Sequence, residues 1–326
     1  MNFVGEDSVV KVVMGKGSTL MDTITVDEIA YYLQVRKSIH HHTVLFLGAR
    51  AGGLFRNPSF YNLIERFSSN YTTFKTLQEP EKFDKCYQLL PSSNEREIYE
   101  ILLACLKEPV ARPENDALAG IVREDVFDVI ISTNIDPFVE DAFVDANMRD
   151  PYEYHVFIPG FYSPNDIRRP ETQYCTLVKV FGDWKSRHYN TAGNEFVLEA
   201  NRELKEFLES ILSENLLIVG YDPVWDAPIE RAFSLLGGDC WYVNEVPPAE
   251  NSHLVRVLEQ RQGRYLGGGQ SSYREFCKAL QIELSKILPS EALNRELPQN
   301  KILHEILNRV TQTHETVLEL KNMFTS

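Results

Sequence analysis

The sequence predicts an α/β fold, a doubly wound parallel sheet with a helical insertion and a helix at the carboxyl end. Three observations point there. Short apolar runs with strand propensity recur along the chain: Thr43-Val-Leu-Phe-Leu47, Asp128-Val-Ile-Ile-Ser132, Leu177-Val-Lys-Val-Phe181, Leu216-Leu-Ile-Val219 and Cys240-Trp-Tyr-Val243. Each stops abruptly in glycine or polar residues, as buried parallel strands do where they reach the carboxyl edge of a sheet. The stretches between them carry helical spacing, so strands and helices alternate.

Taken in order, Val9, Val10, Val12 and Val13 alternate weakly around Gly15-Lys-Gly17, which suggests a hairpin or loose arm over residues 8–22. Asp27 is a suitable cap for a helix from Glu28 to Ile39. His40, His41 and His42 follow; three histidines at a helix carboxyl end read as a solvated terminus favoured by the dipole, and no metal site is assigned to the chain. Residues from about 54 to 124 form the expected helical insertion between the first two strands. A further strand is expected within 152–158, a turn-rich surface loop over 159–172, an amphipathic helix over 194–214 and a helix over 227–236. From about residue 298, Ile302, Ile306, Val310, Thr313, Val317, Leu320 and Phe324 approach an a/d seam on one long helix. That seam suits an oligomer contact or a helix docking on its own domain. The expected division is a domain over 1–290 and a carboxyl-terminal helical or oligomerisation segment over 291–326.

Composition narrows the function. A hydrophobic share of 43% over 326 residues supports a large core, and 47 acidic against 33 basic residues give a net charge of −14. That balance opposes attachment to nucleic acid or anionic lipid. Cys86, Cys105, Cys175, Cys240 and Cys277 are scattered and include no C-x-x-C pair, so neither a disulfide framework nor a zinc ribbon is indicated. With no apolar run of about 18 residues, no membrane span is expected, and the predicted location is the cytoplasm.

Chemistry-bearing residues gather at the strand ends. The second run continues Ser132-Thr-Asn-Ile-Asp136 and is followed by Pro137, which opens a helix whose first N–H groups would face whatever Asn134 and Asp136 address. The first run enters Gly48-Ala-Arg-Ala-Gly-Gly53. A strand running into a glycine-rich turn suits a phosphate cradle or a plain turn, and Arg50 sits where a second glycine of such a loop would be. Gly182-Asp183, Gly220-Tyr221 and Asn244-Glu245 close the other strands.

In this order the motifs resemble the SIR2 (sirtuin-like) family, over about residues 27–286, especially its zinc-free bacterial antiphage-defence branch. Gly48-Ala-Arg-Ala-Gly52 resembles the family's G-A-G-x-S loop, Ser132-Thr-Asn-Ile-Asp136 its T-T/Q-N-x-D motif, and Lys179-Val-Phe-Gly-Asp183 its K-x-H-G-D/S motif. Leu217-Ile-Val-Gly-Tyr221 with Asp226 is similar to the G-Y-S-x-x-D segment, and Val243-Asn-Glu245 to the strand whose asparagine holds the adenosine ribose. The resemblance implies a Rossmann-like NAD⁺ site. Asn134 and Asp136 would be its catalytic residues. Gly48, Ala49, Arg50, Gly52, Ser132, Gly182, Gly220, Tyr221 and Asn244 would line the cofactor.

The implied chemistry breaks the nicotinamide C–N bond through an oxocarbenium-like state, with water as acceptor in the defence enzymes. The lack of C-x-x-C pairs argues against the zinc-bearing deacetylase branch. Phe181 occupies the place of the family histidine that acts as general base, and phenylalanine accepts no proton. His188 is either a surface histidine or a replacement base. The resemblance therefore implies an atypical or degenerate NAD⁺ glycohydrolase, or a silent structural or sensor subunit, with a homo-oligomer or a defence-system protein as partner.

Overall fold

In the computed structural model the described residues are 21–41, 43–52, 113–159, 175–183, 185–186, 188–189, 201–223 and 225–287. Strands β1 (Asp22–Thr23), β2 (Thr43–Leu47), β3 (Phe127–Ser132), β4 (His155–Phe157), β5 (Thr176–Lys179), β8 (Leu216–Val219), β9 (Cys240–Val243) and β10 (Arg264–Leu266) form one sheet in the order β1-β10-β9-β8-β2-β3-β5-β4. Every pairing in it is parallel. A separate pair, β6 (Gly182–Asp183) and β7 (His188–Tyr189), is antiparallel.

Burial on both faces explains why these strands read as continuous apolar runs. Val44, Phe46, Val129, Ile131, Leu216, Ile218 and Tyr242 point into a cluster with Leu204, Leu208, Ile229, Leu254, Val257 and Leu258. That layer holds the helix Arg202–Ile211, a 3₁₀ turn Ala227–Ala232 and the helix His253–Gln260. The alternate residues Leu45, Ile130, Leu217 and Trp241 are equally buried, and Tyr32 of the helix Val26–Ser38 lies on Trp241. On that side Tyr273–Lys286 packs against Val26–Ser38 and Pro113–Arg123, and Pro113–Arg123 against Phe138–Asp145. Helices thus cover both faces, as expected of a doubly wound sheet.

Several local expectations are corrected. Thr25, not Asp27, caps the first helix: its side chain accepts from the Glu28 N–H and the Glu28 carboxylate accepts from the Thr25 N–H. The stretch 227–236 is a short 3₁₀ turn rather than a helix. Pro228 removes a donor near its start, and Phe233 is already extended. The helix expected over 194–214 runs from Arg202 to Ile211 behind an Asn201 cap, residues 194–200 lying outside the described ones. Within the expected 8–22 hairpin, Asp22 instead opens the parallel edge strand β1, which follows Tyr265; residues 1–20 lie outside the described ones. So do most of the expected insertion, all but Pro159 of the loop expected over 159–172, and the seam over 298–326.

Register sets the position of the site. Leu47 lies opposite both Ser132 and Val219, Ser132 opposite Lys179, and Val219 opposite Val243. The residues that follow, from Gly48, Thr133, Val180, Gly220 and Asn244, therefore leave the sheet at one level.

The direction of the chain reverses between β2 and β8. From β2 the path runs outward through β3 and β5; from β8 it runs the other way through β9 and β10. A crevice outside the carboxyl ends of the strands at such a switch point is where open α/β sheets bind ligands. Here the two loops approach closely: Arg50 N–H donates to Gly220 O at 2.9 Å, and Gly48 N–H to Val219 O at 2.9 Å. A Cβ on Gly48 would meet Gly220 O at 2.5 Å, and one on Gly220 would meet Ala51 N at 2.7 Å, with Gly220 at φ +68°.

Gly220→Ala is expected to lower stability by more than about 1 kcal/mol, since it adds a clash to an unfavourable backbone conformation. Gly268→Ala is the control, because Gly268 also has a positive φ (+84°) but nothing within 4 Å of an added Cβ. Urea midpoints compare the two; equal losses would show that the loop contact at Gly220 carries no weight.

Candidate functional site at the carboxyl edge of the sheet

Ser132 ends β3, and its hydroxyl accepts from the Asn134 N–H at 3.1 Å, turning the chain so that the Asn134 side chain reaches back across β2. Its amide donates to Gly48 O at 3.0 Å, with Leu47 O at 3.5 Å. The Asn134 Oδ1 is buried and carries no hydrogen bond among the described residues. It lies under the Gly52 backbone, where an added Cβ would stand 2.0 Å from it and 3.2 Å from Asp136 Oδ2. Asp136, also buried, accepts the Phe138 N–H through Oδ1 at 3.3 Å, at the start of the helix that Pro137 caps.

Lys179 secures this loop from below. Its ammonium is 1% exposed and donates to Asp136 O at 2.9 Å, to Asp183 Oδ1 at 2.7 Å and to Glu140 Oε1 at 2.5 Å. Burial alone would push the Lys179 ammonium down, but Glu140 and Asp183 outweigh it and hold it above the ordinary lysine value. Burial also pushes the Glu140 carboxyl up against the pull of Lys179. The ammonium stays charged. The positive charge thus fixes the backbone carrying Asn134 and Asp136.

Phe181 lies in the turn just after β5. It is fully buried in the hydrophobic cluster and meets Trp225 edge-on, with centroids 5.6 Å apart at 87°. Trp225 is equally buried, and its indole N–H donates to Thr133 O at 3.0 Å. Gly182, at φ +88°, turns the chain into the β6–β7 pair, where the His188 backbone lies opposite Asp183.

The loop after β8 supplies the acids. Asp226 is fully buried; its Oδ2 accepts from the Ala49 N–H at 3.2 Å and the Asp222 N–H at 2.7 Å, so one carboxyl ties the two loops together. Its Oδ1 has no hydrogen bond among the described residues. Burial pushes this carboxyl up to about 8, against the opposing pull of the two backbone amides.

Asp222, also fully buried, accepts from the Trp225 N–H at 3.0 Å through one oxygen and from Arg50 Nε at 3.0 Å through the other. Arg50 is thus held through its Nε by an acid of the neighbouring loop. Tyr221 is buried with its hydroxyl lacking a hydrogen bond among the described residues, and burial raises it far above the ordinary tyrosine value. Asn244 is committed to the fold. Its amide donates to Tyr221 O and to the Tyr242 hydroxyl, each at 2.7 Å, and its Oδ1 accepts the Glu245 N–H.

The structure thus gathers Gly48, Ala49, Arg50, Gly52, Ser132, Asn134, Asp136, Gly220, Tyr221 and Asn244 at one edge. Gly182 stands at the end of the adjoining β5 segment. Asp222, Asp226 as a buried carboxyl and Trp225 were not singled out as site residues by the sequence reading. The acid at 222 was the available signal, since it stands where the G-Y-S pattern has serine.

With this geometry described, the comparisons can be placed on it. Residues 128–243 match the model of the SIR2-like domain. The match runs from β3 through β9 and so includes Asn134, Asp136, Phe181, Gly220 and Asp226. No curated protein matches the chain. Among solved structures, one from a study of the mechanism and regulation of Sir2 enzymes aligns at 14% identity over 80% of this chain and 97% of its own, with a TM-score of 0.44. The structure of Sir2Af2 bound to a myristoylated histone peptide aligns at 15% identity over 79% and 98%, with a TM-score of 0.33. Among the described residues no helix is long and apolar enough to cross a membrane, and no group of three or more His, Cys, Asp or Glu is placed to hold a metal.

The Asp226 carboxyl generates a pH prediction. Its folded value, about 8, lies above its unfolded value, about 3.9. Its stabilising contribution is then complete below pH ~4 and is lost as pH rises through 8. Asp226→Asn is expected to flatten the fall in urea midpoint between pH 5 and pH 8.5. An unaltered slope would mean that Asp226 is ionised in the folded protein throughout.

Proposed function

We propose that this chain is a SIR2-like NAD⁺-binding protein whose glycohydrolase chemistry is degenerate. The observation that carries the reading is Phe181. The resemblance sets a histidine general base there, and this chain has a ring with no exposed surface, packed against Trp225 in the core.

The fit to NAD⁺ is divided. For binding, the backbones of Gly48 to Gly52 and of Gly220 to Asp222 approach closely at the switch point, and the Asn134 Oδ1 is a buried acceptor beneath Gly52. Asn134 and Asp136 would face the nicotinamide ribose, and Gly48, Ala49 and Gly52 the phosphates. For cleavage, position 181 offers no proton acceptor and Asn244 has both amide hydrogens committed. Loss of a general base typically costs about 10²- to 10⁴-fold in rate. Bound NAD⁺ would supply an activated glycosidic bond, while the residues present orient the ribose and exclude water rather than move a proton.

A place in antiphage defence, as a sensor or structural subunit, follows from the resemblance to the zinc-free branch. Oligomerisation through residues 298–326 and a cytoplasmic location belong to the same proposal. Light scattering on a chain truncated before residue 298 tests the assembly; an unchanged mass per particle would oppose it.

Incubation with NAD⁺ is expected to release no nicotinamide above the spontaneous rate, while calorimetry detects NAD⁺ binding. Phe181→His alone is expected to stay silent and to lose about 3 kcal/mol, because the imidazole enters a closed apolar contact with Trp225. Brisk release by the wild type, abolished by Asn134→Ala, would overturn the degenerate reading and direct attention to His188.

A further inference from the structure

Lys179 ends β5 opposite Ser132, and its side chain reaches past the end of β3 to the loop that carries Asn134. Its ammonium joins three segments at once. It donates to Asp136 O at 2.9 Å, with Ile135 O at 3.5 Å, in the turn before the helix Phe138–Asp145. It donates to Glu140 Oε1 at 2.5 Å within that helix, and to Asp183 Oδ1 at 2.7 Å at the start of the β6–β7 pair. Asp183 accepts the Ser186 N–H at 2.8 Å through its other oxygen and so shapes the turn of the same pair. Three ammonium hydrogens thus face three acceptors at 2.5–2.9 Å, and the group has 1% of its surface exposed. Lys179 lies beneath the crevice and does not line it.

The loop above it has to hold an aim. Asn134 is tied on the near side by its N–H to the Ser132 hydroxyl and by its amide to Gly48 O, and its Oδ1 stays a buried acceptor with no hydrogen bond among the described residues. Two residues on, the far side of the loop is tied through the Asp136 carbonyl to Lys179. A buried carbonyl outside a helix ladder needs such a donor. A ligand gains full affinity only from groups already held in place, because ordering a loose loop is charged against binding.

We propose that Lys179 is a positioning residue for the ligand of this crevice: without touching it, the buried ammonium locks the loop 133–137 to the helix Phe138–Asp145 and to the β6–β7 pair, so that Asn134 is pre-aimed at the nicotinamide-ribose end of NAD⁺. The inference rests on the nucleotide-binding reading above and deepens it. Affinity then depends on a side chain that lies outside the crevice.

Calorimetry with NAD⁺ on the full chain tests this, beside urea midpoints for each variant. Lys179→Met and Asn134→Ala are each expected to bind NAD⁺ at least about tenfold more weakly than the wild type. The double variant is expected to fall short of the product of the two losses by at least about threefold, because both changes remove the same contact; losses that simply multiply would overturn the role. Lys179→Met strands two carboxylates, so Lys179→Met/Glu140→Leu, which removes the cation together with an acid and spares the fold, is expected to show the same loss of affinity. Arg36 is a buried cation at the opposite edge of the sheet, donating to Thr43 Oγ1 at 3.1 Å and to Asp239. Arg36→Met is expected to lower the urea midpoint and leave NAD⁺ affinity within about twofold of the wild type; a loss equal to that of Lys179→Met would show general loosening and refute the role. Wild-type binding that persists undiminished in both Lys179 variants would refute it too and leave the nucleotide-binding reading intact, whereas failure of the wild type to bind NAD⁺ would remove both.

Discussion

The close approach of the β2 and β8 loops is the constraint on which the rest of this site depends. Gly48 and Gly220 allow two backbones to touch, and the Asp226 carboxyl then receives one N–H from each loop. Every other feature at the edge is fitted around that contact. Asn134 reaches the same Gly48 carbonyl from β3, and Asn244 holds the Tyr221 carbonyl from β9. Four neighbouring strand ends are thereby joined through side-chain amides and one carboxyl. A buried carboxyl with an unbonded oxygen is costly when ionised, and the fold meets the cost by keeping it protonated over most of the physiological range.

On the proposed function, this economy accounts for a nucleotide-type edge without turnover. The polar residues at the strand ends are largely consumed by one another: Asn244 by Tyr221 and Tyr242, Asp222 by Arg50 and Trp225, Lys179 by Asp136, Asp183 and Glu140. Phe181 and Trp225 close the apolar side between them. A proton-accepting residue at 181 would have to take the place of a packed ring.

Much of this was legible in the sequence, because the signals are local and strong. Five apolar runs, each ended by glycine or a polar residue, fixed β2, β3, β5, β8 and β9 and the edge they share. The strands β1 and β10 escaped notice because two or three residues, including Arg264 and Asp22, show no run at all and are strands only by pairing with a neighbour. The stretch 227–236 forms only a 3₁₀ turn over Ala227–Ala232, because Pro228 removes a donor near its start and Phe233 is already extended. Arg50 and Asp222 lie 172 residues apart. Each appears alone as a departure from a motif, and only the fold shows that the two departures neutralise each other.

The central claim is that the edge holds a dinucleotide without cutting it. A crystal structure of the protein grown with NAD⁺ tests this most directly. The account predicts an intact ligand with its C–N bond unbroken, lying along the Gly48–Gly52 turn, and Phe181 still edge-on to Trp225. Density for ADP-ribose or free nicotinamide in place of the dinucleotide, or a ligand seated away from Asn134 and Gly52, would contradict it.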